Sequence, residues 1–396
     1  MDEEIEKGRK AYLKHMEGSV AAFAPGRIEF LGNHLDYNGG MVLGAAIDAG
    51  IYVLASPRRD KVLRLFSESF EGEVVETSLD QFRKIEGKGS WANYCLGVLK
   101  AMQERGLAPS SGFSLTFVSN LPVSAGLSSS AALELATGLA LAQLADREVG
   151  LEELAGICRE AENEFVGMPC GILDQASSAL GRPDHLVLID CRNESFSTLP
   201  LPPRTALWII DSGIKHDLVD SHYSARHAEC GEALRLVKEA GSKSACLAEC
   251  REEEIDQTDL SPNLRKRALH VTREQERVLT FRDGLLSNRD LEELGRLLTD
   301  SHWSSSRDFE NSCPELDFLV ERLAESDEVL GARLTGGGFG GAVLAWTTSA
   351  FRRKEAEAIA GSYKEEYDAL PSVHSFSPSR GARIEDWPPL ALEKGA

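Results

Sequence analysis

The chain has 396 residues and a formal net charge of −20, with 42% hydrophobic and 27% charged residues. This composition is typical of a soluble globular protein, and the length is sufficient for two domains with separate cores. The excess of acidic groups argues against binding to a nucleic-acid backbone or to an anionic membrane surface as the main task. It does not exclude a small anionic ligand, because one local site can oppose the overall field.

Eight cysteines are scattered through segments that otherwise resemble core. No pair of histidines accompanies the closest two, in "CLAEC", at zinc-finger spacing. This pattern favours reduced, incidental thiols in a cytoplasmic protein. The first 18 residues are acidic and helical in pattern, without the apolar core of a signal peptide, and no apolar run has the length of a membrane span. We therefore expect a cytoplasmic protein, and we expect a monomer, with an oligomer left open because the sequence does not reveal the oligomeric state.

Strands and helices alternate in the first half of the chain. Apolar patterning predicts strands in "VLGAAIDAGIYVLASP", "KVLRLFSESF", "GFSLTFVSNLP" and "HLVLIDC". It predicts helices in "WANYCLGVLKAMQERG", after "SAGLSSS" and in "GLEELAGICREAENEFVG". The helix after the serines is expected to bury one apolar stripe, formed by Leu133, Ala136, Ala140, Leu141 and Leu144.

The proline-rich join "LPLPPR" is the predicted domain boundary. After it we expect a strand at "ALWIID", a helical stretch from about 217 to 327, a further helix near 350–367 and a last strand around "VHSFS". Helices laid against mixed sheets indicate an α+β fold with two lobes, residues 1–200 and residues 201–396. A cleft between the lobes is the expected position of the active site.

The stretch "SAGLSSSAALELA" runs from a glycine turn into a helix. The unpaired backbone N–H groups and the positive dipole end of a helix start attract anions, and Gly126 lets a ligand approach the backbone closely. Ser128, Ser129 and Ser130 add hydroxyls, so the turn is a candidate phosphate site. It lacks the Gly-Lys-Ser/Thr ending of a Walker A loop, and a flexible linker or an ordinary helix cap would explain the serines equally well.

A second polar cluster lies between two apolar runs, in "GRIEFLGNHLDYNGG". Its carboxylate, amide and imidazole groups suit a hydroxyl-rich ligand, because each gives or takes hydrogen bonds in a fixed direction. A polar surface turn is the alternative. Further along, Asp174 lies among small and apolar residues in "GMPCGILDQASSALG", either as a functional carboxylate or as the cap of the next helix.

A third glycine cluster, "LTGGGFGG", ends at Gly341. Glycines this dense admit the close approach of a ligand or of another backbone segment. They also suit a tight hairpin, and the two interpretations are compatible.

These motifs meet in one pattern. "PGRIEFLGNHLDYNGG", "LPVSAGLSSSAALELA" and "LTGGGFGGAV" occur in the order typical of the galactose, homoserine, mevalonate and phosphomevalonate kinase family. Galactokinase-like stretches fill the intervals, among them "WANYCLGV", "AENEFVGMPCGILDQ" and "SCPELD". The chain resembles this family, and the galactokinases within it, over nearly its whole length. The resemblance implies the two-lobed family fold and transfer of the γ-phosphate of ATP to the C1 hydroxyl of a sugar such as galactose.

The resemblance also implies roles for individual residues. Asp174 would be the general base beside the anomeric hydroxyl, and Arg27 would face the transferred phosphoryl group and keep Asp174 ionised. Ser130 and Glu162 would bind Mg²⁺, directly or through water. The sugar site would include Asn33, His34, Asp36, Gly171 and Tyr223, and the ATP site Trp91, Gly126, Leu127, Ser128, Ser129, Ser130 and Ala131.

The stretch "GRIEFLGNHLDYNGG", residues 26–40, is called the sugar loop below. It departs from the usual galactokinase pattern R-x-N-x-x-G-E-H. Glu29 stands where the family has Asn, and Asn33 stands where it has Glu. In the family that Glu contacts the 6-hydroxyl of the sugar, and Asn can still hydrogen-bond there, so galactose stays the expected substrate. A neutral side chain would also tolerate a carboxylate at C6, which makes galacturonate, or another galactose derivative, the alternative.

Three other assignments compete with a galactose 1-kinase. A non-catalytic sensor of sugar and ATP is disfavoured by the intact "GLSSSA" turn together with Arg27 and Asp174. A kinase for another alcohol, such as mevalonate, is disfavoured by the sugar-type loop "NHLDYN". An N-acetylhexosamine kinase stays open, because sequence does not reveal the space beside C2.

Overall fold

The computed structural model describes residues 19–68, 73–122, 126–215 and 219–385, and the predicted N-terminal helix lies outside these ranges. Within them, helices and strands mix along the chain, as expected for an α+β fold. The strands are β1 (Val20–Leu31), β2 (Met41–Pro57), β3 (Val62–Ser67), β4 (Glu73–Ser78), β5 (Phe113–Ser119), β6 (His185–Asp190), β7 (Ser195–Pro200), β8 (Thr205–Lys215), β9 (Val329–Thr335), β10 (Gly340–Thr348), β11 (Ser372–Phe376) and β12 (Arg383–Glu385). The α-helices are α1 (Ala92–Glu104), α2 (Ser129–Leu144), α3 (Leu151–Glu160), α4 (Leu173–Leu180), α5 (Val219–Glu239), α6 (Glu252–Asp256), α7 (Pro262–Leu286), α8 (Leu291–Ser304), α9 (Pro314–Ala324) and α10 (Arg353–Tyr367).

An eight-stranded sheet forms the first part of the molecule, in the order β12-β1-β2-β5-β3-β4, with β6 paired to β2 and β7 to β6. The long antiparallel pair β1–β2 lies at its centre, and nearly every residue of both strands is buried. Such continuous apolar runs need cover, which α2 and α4 provide by packing on both strands. The sugar loop connects β1 to β2, so the most deeply buried strands of the sheet hold it at both ends.

Helix α2 is more deeply buried than its predicted stripe implied. Every residue from Ala131 to Ala142 is buried, including Glu134 and Thr137. The cause is its position, because α2 packs on β1 and β2 and also contacts α1, α3 and α4. An amphipathic stripe is therefore the wrong description of this helix, which is hydrophobic nearly all round.

A four-stranded antiparallel sheet, in the order β11-β8-β10-β9, forms the second part. The glycine cluster is the turn between β9 and β10, and the predicted helical stretch before it contains α5 to α9. Helices α8 and α9 pack on β9. This packing brings the end of α8 and the glycine turn against the sugar loop.

The two sheets share apolar core where they meet. The ring centroid of Phe30 on β1 lies 5.1 Å from that of Phe281 on α7 and 5.7 Å from that of Trp346 on β10. The change from one sheet to the other falls between β7 and β8, but β12 pairs with β1 and so returns to the first sheet. The predicted domain boundary at residue 200 stays a prediction. Strand β12 follows this boundary in sequence but belongs to the first sheet.

Two further observations bear on the sequence predictions. Among the described helices, none combines the length and the apolar content that a membrane crossing requires. All eight cysteines are free thiols, four of them buried: Cys95, Cys158, Cys230 and Cys250.

Candidate active site

The turn before α2 leaves the start of that helix without a side-chain cap. Ser128 occupies the N-cap position with φ 53° and ψ 56°, and its hydroxyl makes no capping bond. Ser129 is exposed and Ser130 is partly buried. Within the described part of the chain, the N–H groups of the first turn therefore remain available to an anion, and the ordinary-cap interpretation of these serines is wrong.

Arg27 joins this turn to Asp174. Arg27 Nε donates to Asp174 Oδ1 over 2.6 Å, and Arg27 Nη1 donates to the Gly126 carbonyl over 2.7 Å. The backbone N–H of Arg27 donates to the Leu127 carbonyl, and the Ser128 hydroxyl donates to Asp174 Oδ2. Asp174 lies in the first turn of α4 without capping it, so the capping interpretation of this residue is also wrong. Guanidinium, carboxylate and turn form one connected unit.

A cavity of about 200 Å³ opens beside Asp174. Residues from both parts of the molecule line it, so the functional residues meet in a cleft as expected. The lining residues that the sequence predicted are Arg27, Asn33, His34, Asp36, Glu162, Gly171, Asp174 and Tyr223. Gly336 and Gly337 of the β9–β10 turn complete the wall, which places the third glycine cluster at the cleft.

Trp91, the predicted adenine-side aromatic, lies elsewhere. It precedes α1, is 7% exposed and packs edge-on against Phe117, with 5.9 Å between ring centroids. It belongs to the apolar core and is not among the described residues that line the cavity. Its contact with a nucleotide stays a prediction.

His34 is held in a neutral, fixed state inside an aromatic cluster. Its ring lies 4.4 Å from that of Phe309 and 5.2 Å from that of Tyr223, between centroids. Nδ1 pairs with the Tyr37 hydroxyl over 2.9 Å, and Nε2 lies 3.2 Å from the Gly337 carbonyl oxygen and 3.0 Å from Asn311 Nδ2. Burial lowers the pKa of His34 to about 3. His34 therefore shapes the cavity wall and carries no charge at neutral pH.

Asn33 has no hydrogen-bonding capacity left for a substrate. Its Nδ2 donates to Glu29 Oε1 and to the Gly336 carbonyl, each over 3.0 Å. Its Oδ1 accepts from Ser305 Oγ and from Asn311 Nδ2, over 3.1 Å and 2.9 Å. An amide offers two donors and two acceptor positions, and all four are used inside the protein. Asn33 thus joins the loop to the second part of the molecule, which is a different role from the predicted contact with the sugar.

Glu29 supplies the carboxylate that position 33 lacks. It lines the same cavity and accepts at Oε1 from Asn33 and from Arg333 Nη2, the latter over 3.0 Å. Arg333 is fully buried, so this ion pair neutralises a guanidinium that has no access to water. The exchange of Glu29 and Asn33 therefore leaves a carboxylate facing the cavity, from position 29 instead of position 33 and paired with Arg333.

Asp36 and Gly171 meet across the cavity. A Cβ atom added to Gly171 would lie 2.2 Å from Asp36 Oδ2, so only glycine fits against this carboxylate. Burial, followed by the charges of Asp174 and Glu29, raises the pKa of Asp36 to about 7. The cavity is therefore rich in carboxyl oxygens that can accept from or donate to hydroxyl groups.

Glu162 lies in the π-helical turn that continues α3, and one amide positions it. Gln175 Nε2 donates to Glu162 Oε2 over 2.7 Å and to Glu134 Oε2 over 3.1 Å. Burial and the charge of Asp174 raise the pKa of Glu162 to about 7. Burial, with the charge of Glu162 second, raises the pKa of Glu134 well above its usual range. Burial and the neighbouring carboxylate thus disfavour the ionised form of Glu162, which a cation bound beside it would favour.

Comparison with known proteins agrees with this geometry. The model "GHMP kinases N terminal domain" matches residues 93–182, "GHMP kinases C terminal" matches 282–369, and "Galactokinase galactose-binding signature" matches 9–57. A galactokinase of Haemophilus influenzae is 38% identical over 92% of this chain and 94% of its own. A galactokinase of Chloroflexus aurantiacus is 40% identical over 84% of this chain and 85% of its own. The chain belongs to the galactokinase family.

Solved structures extend the comparison to the fold. The galactokinase of Lactococcus lactis, solved as a complex with galactose, superposes with a TM-score of 0.90 at 31% identity, over 97% of this chain and 100% of that one. The mevalonate kinase of Methanococcus jannaschii superposes with a TM-score of 0.63 at 17% identity, over 94% of this chain and 100% of that one, which indicates a shared fold alone. The predicted α+β kinase fold is confirmed.

Sequence reasoning missed several residues of this galactokinase-family site. Glu29 and Arg333 form its buried ion pair, Asn311 ties Asn33 in place, and Gln175 with Glu134 supports Glu162. One signal was available for Glu134 and Gln175, since a polar side chain in an otherwise apolar, buried helix needs a partner. The others come together only through contacts across some 270 to 300 residues of chain, which no local pattern reveals.

Proposed function

We propose that this protein is an ATP-dependent sugar 1-kinase, which transfers the γ-phosphate of ATP to the anomeric C1 hydroxyl of galactose and releases galactose 1-phosphate and ADP. The observation that carries the proposal is the connected unit of Arg27, Asp174 and the turn at Gly126–Ser128, placed at the edge of a hydroxyl-binding cavity. The relatives named galactokinase, and the related structure that contains galactose, support the choice of reaction and sugar.

In this reaction the C1 oxygen forms a bond to the γ-phosphorus while the bond from that phosphorus to the bridging oxygen of ADP breaks. The hydroxyl proton passes to Asp174, whose two oxygens are fixed by Arg27 and Ser128. Little covalent chemistry falls to the protein in phosphoryl transfer, so positioning and charge neutralisation supply most of the rate. Arg27 provides both, because it orients Asp174 and brings a positive charge to the place where the phosphoryl group moves.

The phosphates of ATP would lie on the free N–H groups at the start of α2, with residues Gly126 to Ala131 as their binding turn. This site needs no lysine, since the backbone and the helix dipole supply the positive potential. The exposed Ser129 and the partly buried Ser130 can add hydroxyl contacts.

The residues near this turn fit Mg²⁺. Glu162 and Ser130 offer hard oxygen ligands, and Mg²⁺ typically takes one or two carboxylates together with substrate phosphates and water. The described residues contain no cluster of three or more His, Cys, Asp or Glu side chains arranged around a metal. Glu162 and Ser130 would hold the ion, which neutralises charge on the β- and γ-phosphates when bound.

The cavity favours galactose over galacturonate. Glu29 and Asp36 both line it, and the Glu29 carboxylate lies 3.0 Å from the Asn33 amide that was expected to leave the wall neutral. A carboxylate at C6 would find no free amide at Asn33, whose four hydrogen-bonding positions are all used inside the protein. A neutral hexose can instead donate its hydroxyl groups to the carboxyl oxygens of Glu29 and Asp36.

The test is a panel of sugars offered with Mg-ATP. Galactose, galacturonate, N-acetylgalactosamine and glucose are each incubated with the protein, ADP is measured by a coupled assay, and ³¹P and ¹³C NMR locate the new phosphate. We expect turnover of galactose with phosphate on C1 and no measurable turnover of galacturonate. Absence of ADP release with every sugar would refute the kinase assignment, and a phosphate on another carbon would refute the reaction written here.

A matched pair of variants connects the activity to the site. Asp174→Ala removes the proposed base from a position whose side chain is 30% exposed, so turnover should fall by at least about a thousandfold while the fold persists. Asp283→Ala removes an exposed carboxylate that pairs with Arg282 and should leave turnover unchanged. If Asp174→Ala kept most of its activity, the base would have to be another residue.

A further inference from the structure

Ser128 adopts a backbone conformation that its position in the helix does not explain. Its φ of 53° and ψ of 56° lie in the left-handed region, which costs a non-glycine residue roughly 1–2 kcal/mol. An N-cap serine normally recovers about 1 kcal/mol by accepting a bond from the first turn, and Ser128 makes no such bond. The strain and the missing cap both point to a different use of the hydroxyl.

That hydroxyl is directed at Asp174. Ser128 Oγ donates to Oδ2, the carboxylate oxygen that Arg27 Nε does not occupy. Arg27 in turn holds the same turn through the carbonyls of Gly126 and Leu127. The contacts close a ring that runs from the turn to Arg27, to Asp174 and back to the turn. The left-handed conformation of Ser128 is what lets one residue form part of the turn and reach Asp174.

We propose that Ser128 is a positioning residue, whose hydroxyl fixes the catalytic carboxylate of Asp174 against the phosphate-binding turn. This inference rests on the proposed kinase reaction, and it gives the Ser128 side chain a role distinct from contact with phosphate. Ser128 then connects the two binding places directly. Its backbone belongs to the turn that would bind the nucleotide, and its hydroxyl bonds to the Asp174 carboxylate that would meet the sugar hydroxyl. The backbone of Ser128 serves the nucleotide, and its side chain serves the base.

Two substitutions separate the hydroxyl from the backbone conformation. Ser128→Ala removes the hydroxyl and keeps the cost of the left-handed conformation, whereas Ser128→Gly removes the hydroxyl and that cost together. Both should lower kcat for galactose by about 10- to 100-fold, the effect of one hydrogen bond to a charged group, with KM for ATP changed less than about threefold. Ser110→Ala is the matched comparison, because Ser110 is an exposed serine outside the described cavity lining; that variant should leave both kcat and KM for ATP unchanged.

A double-mutant cycle tests whether Ser128 acts through Asp174. In the Asp174→Ala background, removing the Ser128 hydroxyl should not lower the residual turnover further, because its acceptor is gone. Thermal unfolding of each variant verifies that the fold is intact, and Ser128→Gly is the informative variant if Ser128→Ala does not fold.

Three results would overturn the inference. A Ser128→Gly enzyme with wild-type kcat would show that the hydroxyl is dispensable. A rise in KM for ATP with kcat unchanged would assign the hydroxyl to the phosphates instead. An equal loss in the presence and absence of Asp174 would make the two residues independent. Each of these results presupposes an active wild-type enzyme, so they are distinct from failure of the proposed function, which would appear as a wild-type protein inactive on every sugar.

Discussion

Replacing Gly171 with Ala tests how closely the sugar cavity is fitted. The added Cβ would lie 2.2 Å from Oδ2, 2.3 Å from Cγ and 2.6 Å from Cβ of Asp36. Ordinary contacts of such an atom begin at 3.4 Å, so the Asp36 side chain or the backbone at residue 171 must move by about 1.2 Å, the difference between the two distances. The whole side chain of Asp36 is too close, so rotating its carboxylate alone does not relieve the contact.

The loop that carries Asp36 cannot yield cheaply. Asn38 Nδ2 donates to the His34 carbonyl over 2.8 Å, and the backbone N–H groups of Asn38 and Gly40 both donate to the Leu35 carbonyl. A misplacement of about 1 Å in a catalytic or binding group can cost on the order of a hundredfold in rate, or about 2.7 kcal/mol. We therefore expect Gly171→Ala to lower kcat/KM for galactose by about 10- to 100-fold, together with a loss of about 1–3 kcal/mol in stability from overpacking.

Gly156→Ala is the matched control in α3. A Cβ atom there meets no atom within 4 Å, so the change should stabilise the helix by about 0.5–1 kcal/mol and leave kcat/KM unchanged. Steady-state kinetics with galactose and chemical denaturation of both variants provide the comparison. Wild-type kcat/KM in Gly171→Ala would refute the close contact between residues 171 and 36, whatever its effect on stability.

Two further predictions concern charge. Burial raises the pKa of Asp36 to about 7 from an ordinary value of 3.8, so the folded protein binds this proton more tightly than the unfolded chain and loses stability as pH rises from about 4 to above 7. Asp36→Asn should therefore raise the melting temperature more at pH 8 than at pH 5, and an equal rise at both values would contradict the assigned shift. Arg333→Met should lower the free energy of unfolding by about 3–5 kcal/mol in a denaturant titration, because it leaves the buried Glu29 carboxylate without its cation. The same change at Arg353, which is exposed on α10, should lower the free energy of unfolding by less than about 0.5 kcal/mol. A loss at Arg333 as small as the loss at Arg353 would show that the buried ion pair contributes nothing.

Local patterns were sufficient for most elements and for the position of the glycine turn before α2. The apolar runs that became β2, β5 and β6 sit where periodicity placed them, because strands and helices bury side chains at different spacings. The turn at Gly126 was recognisable as the start of a helix because glycine and serine stand immediately before an apolar helical run, but only the absent side-chain cap in the structure separates an anion site from an ordinary cap. The extent of burial of α2 was not recognisable, since a helix covered by a sheet on one side and by helices on the others shows no amphipathic stripe.

Which residues of the site contact each other was harder to predict than which residues belong to the site. Arg27, Asp36, Glu162 and Asp174 were assigned to one place, and they line one cavity. Which group touches which depends on contacts between distant segments, such as Ser128 with Asp174 or Gln175 with Glu162. A sequence pattern names the residues that a site requires, but the direction of a hydroxyl or an amide follows from backbone angles that the pattern does not contain.

The exchange of Glu29 and Asn33 shows why charge must be assigned in space rather than by position in a motif. The two residues are four apart in sequence, yet their side chains are 3.0 Å apart at Oε1 and Nδ2. A carboxylate at residue 29 reaches the buried guanidinium of Arg333 directly. The buried guanidinium of Arg333 requires one buried carboxylate beside it. Residues 29 and 33 together therefore carry the same total charge whichever of the two is the glutamate. It follows that an Asn at position 33 is not by itself a reason to expect an acidic substrate, since the carboxylate has moved by one side chain without leaving the cavity and is held there by Arg333.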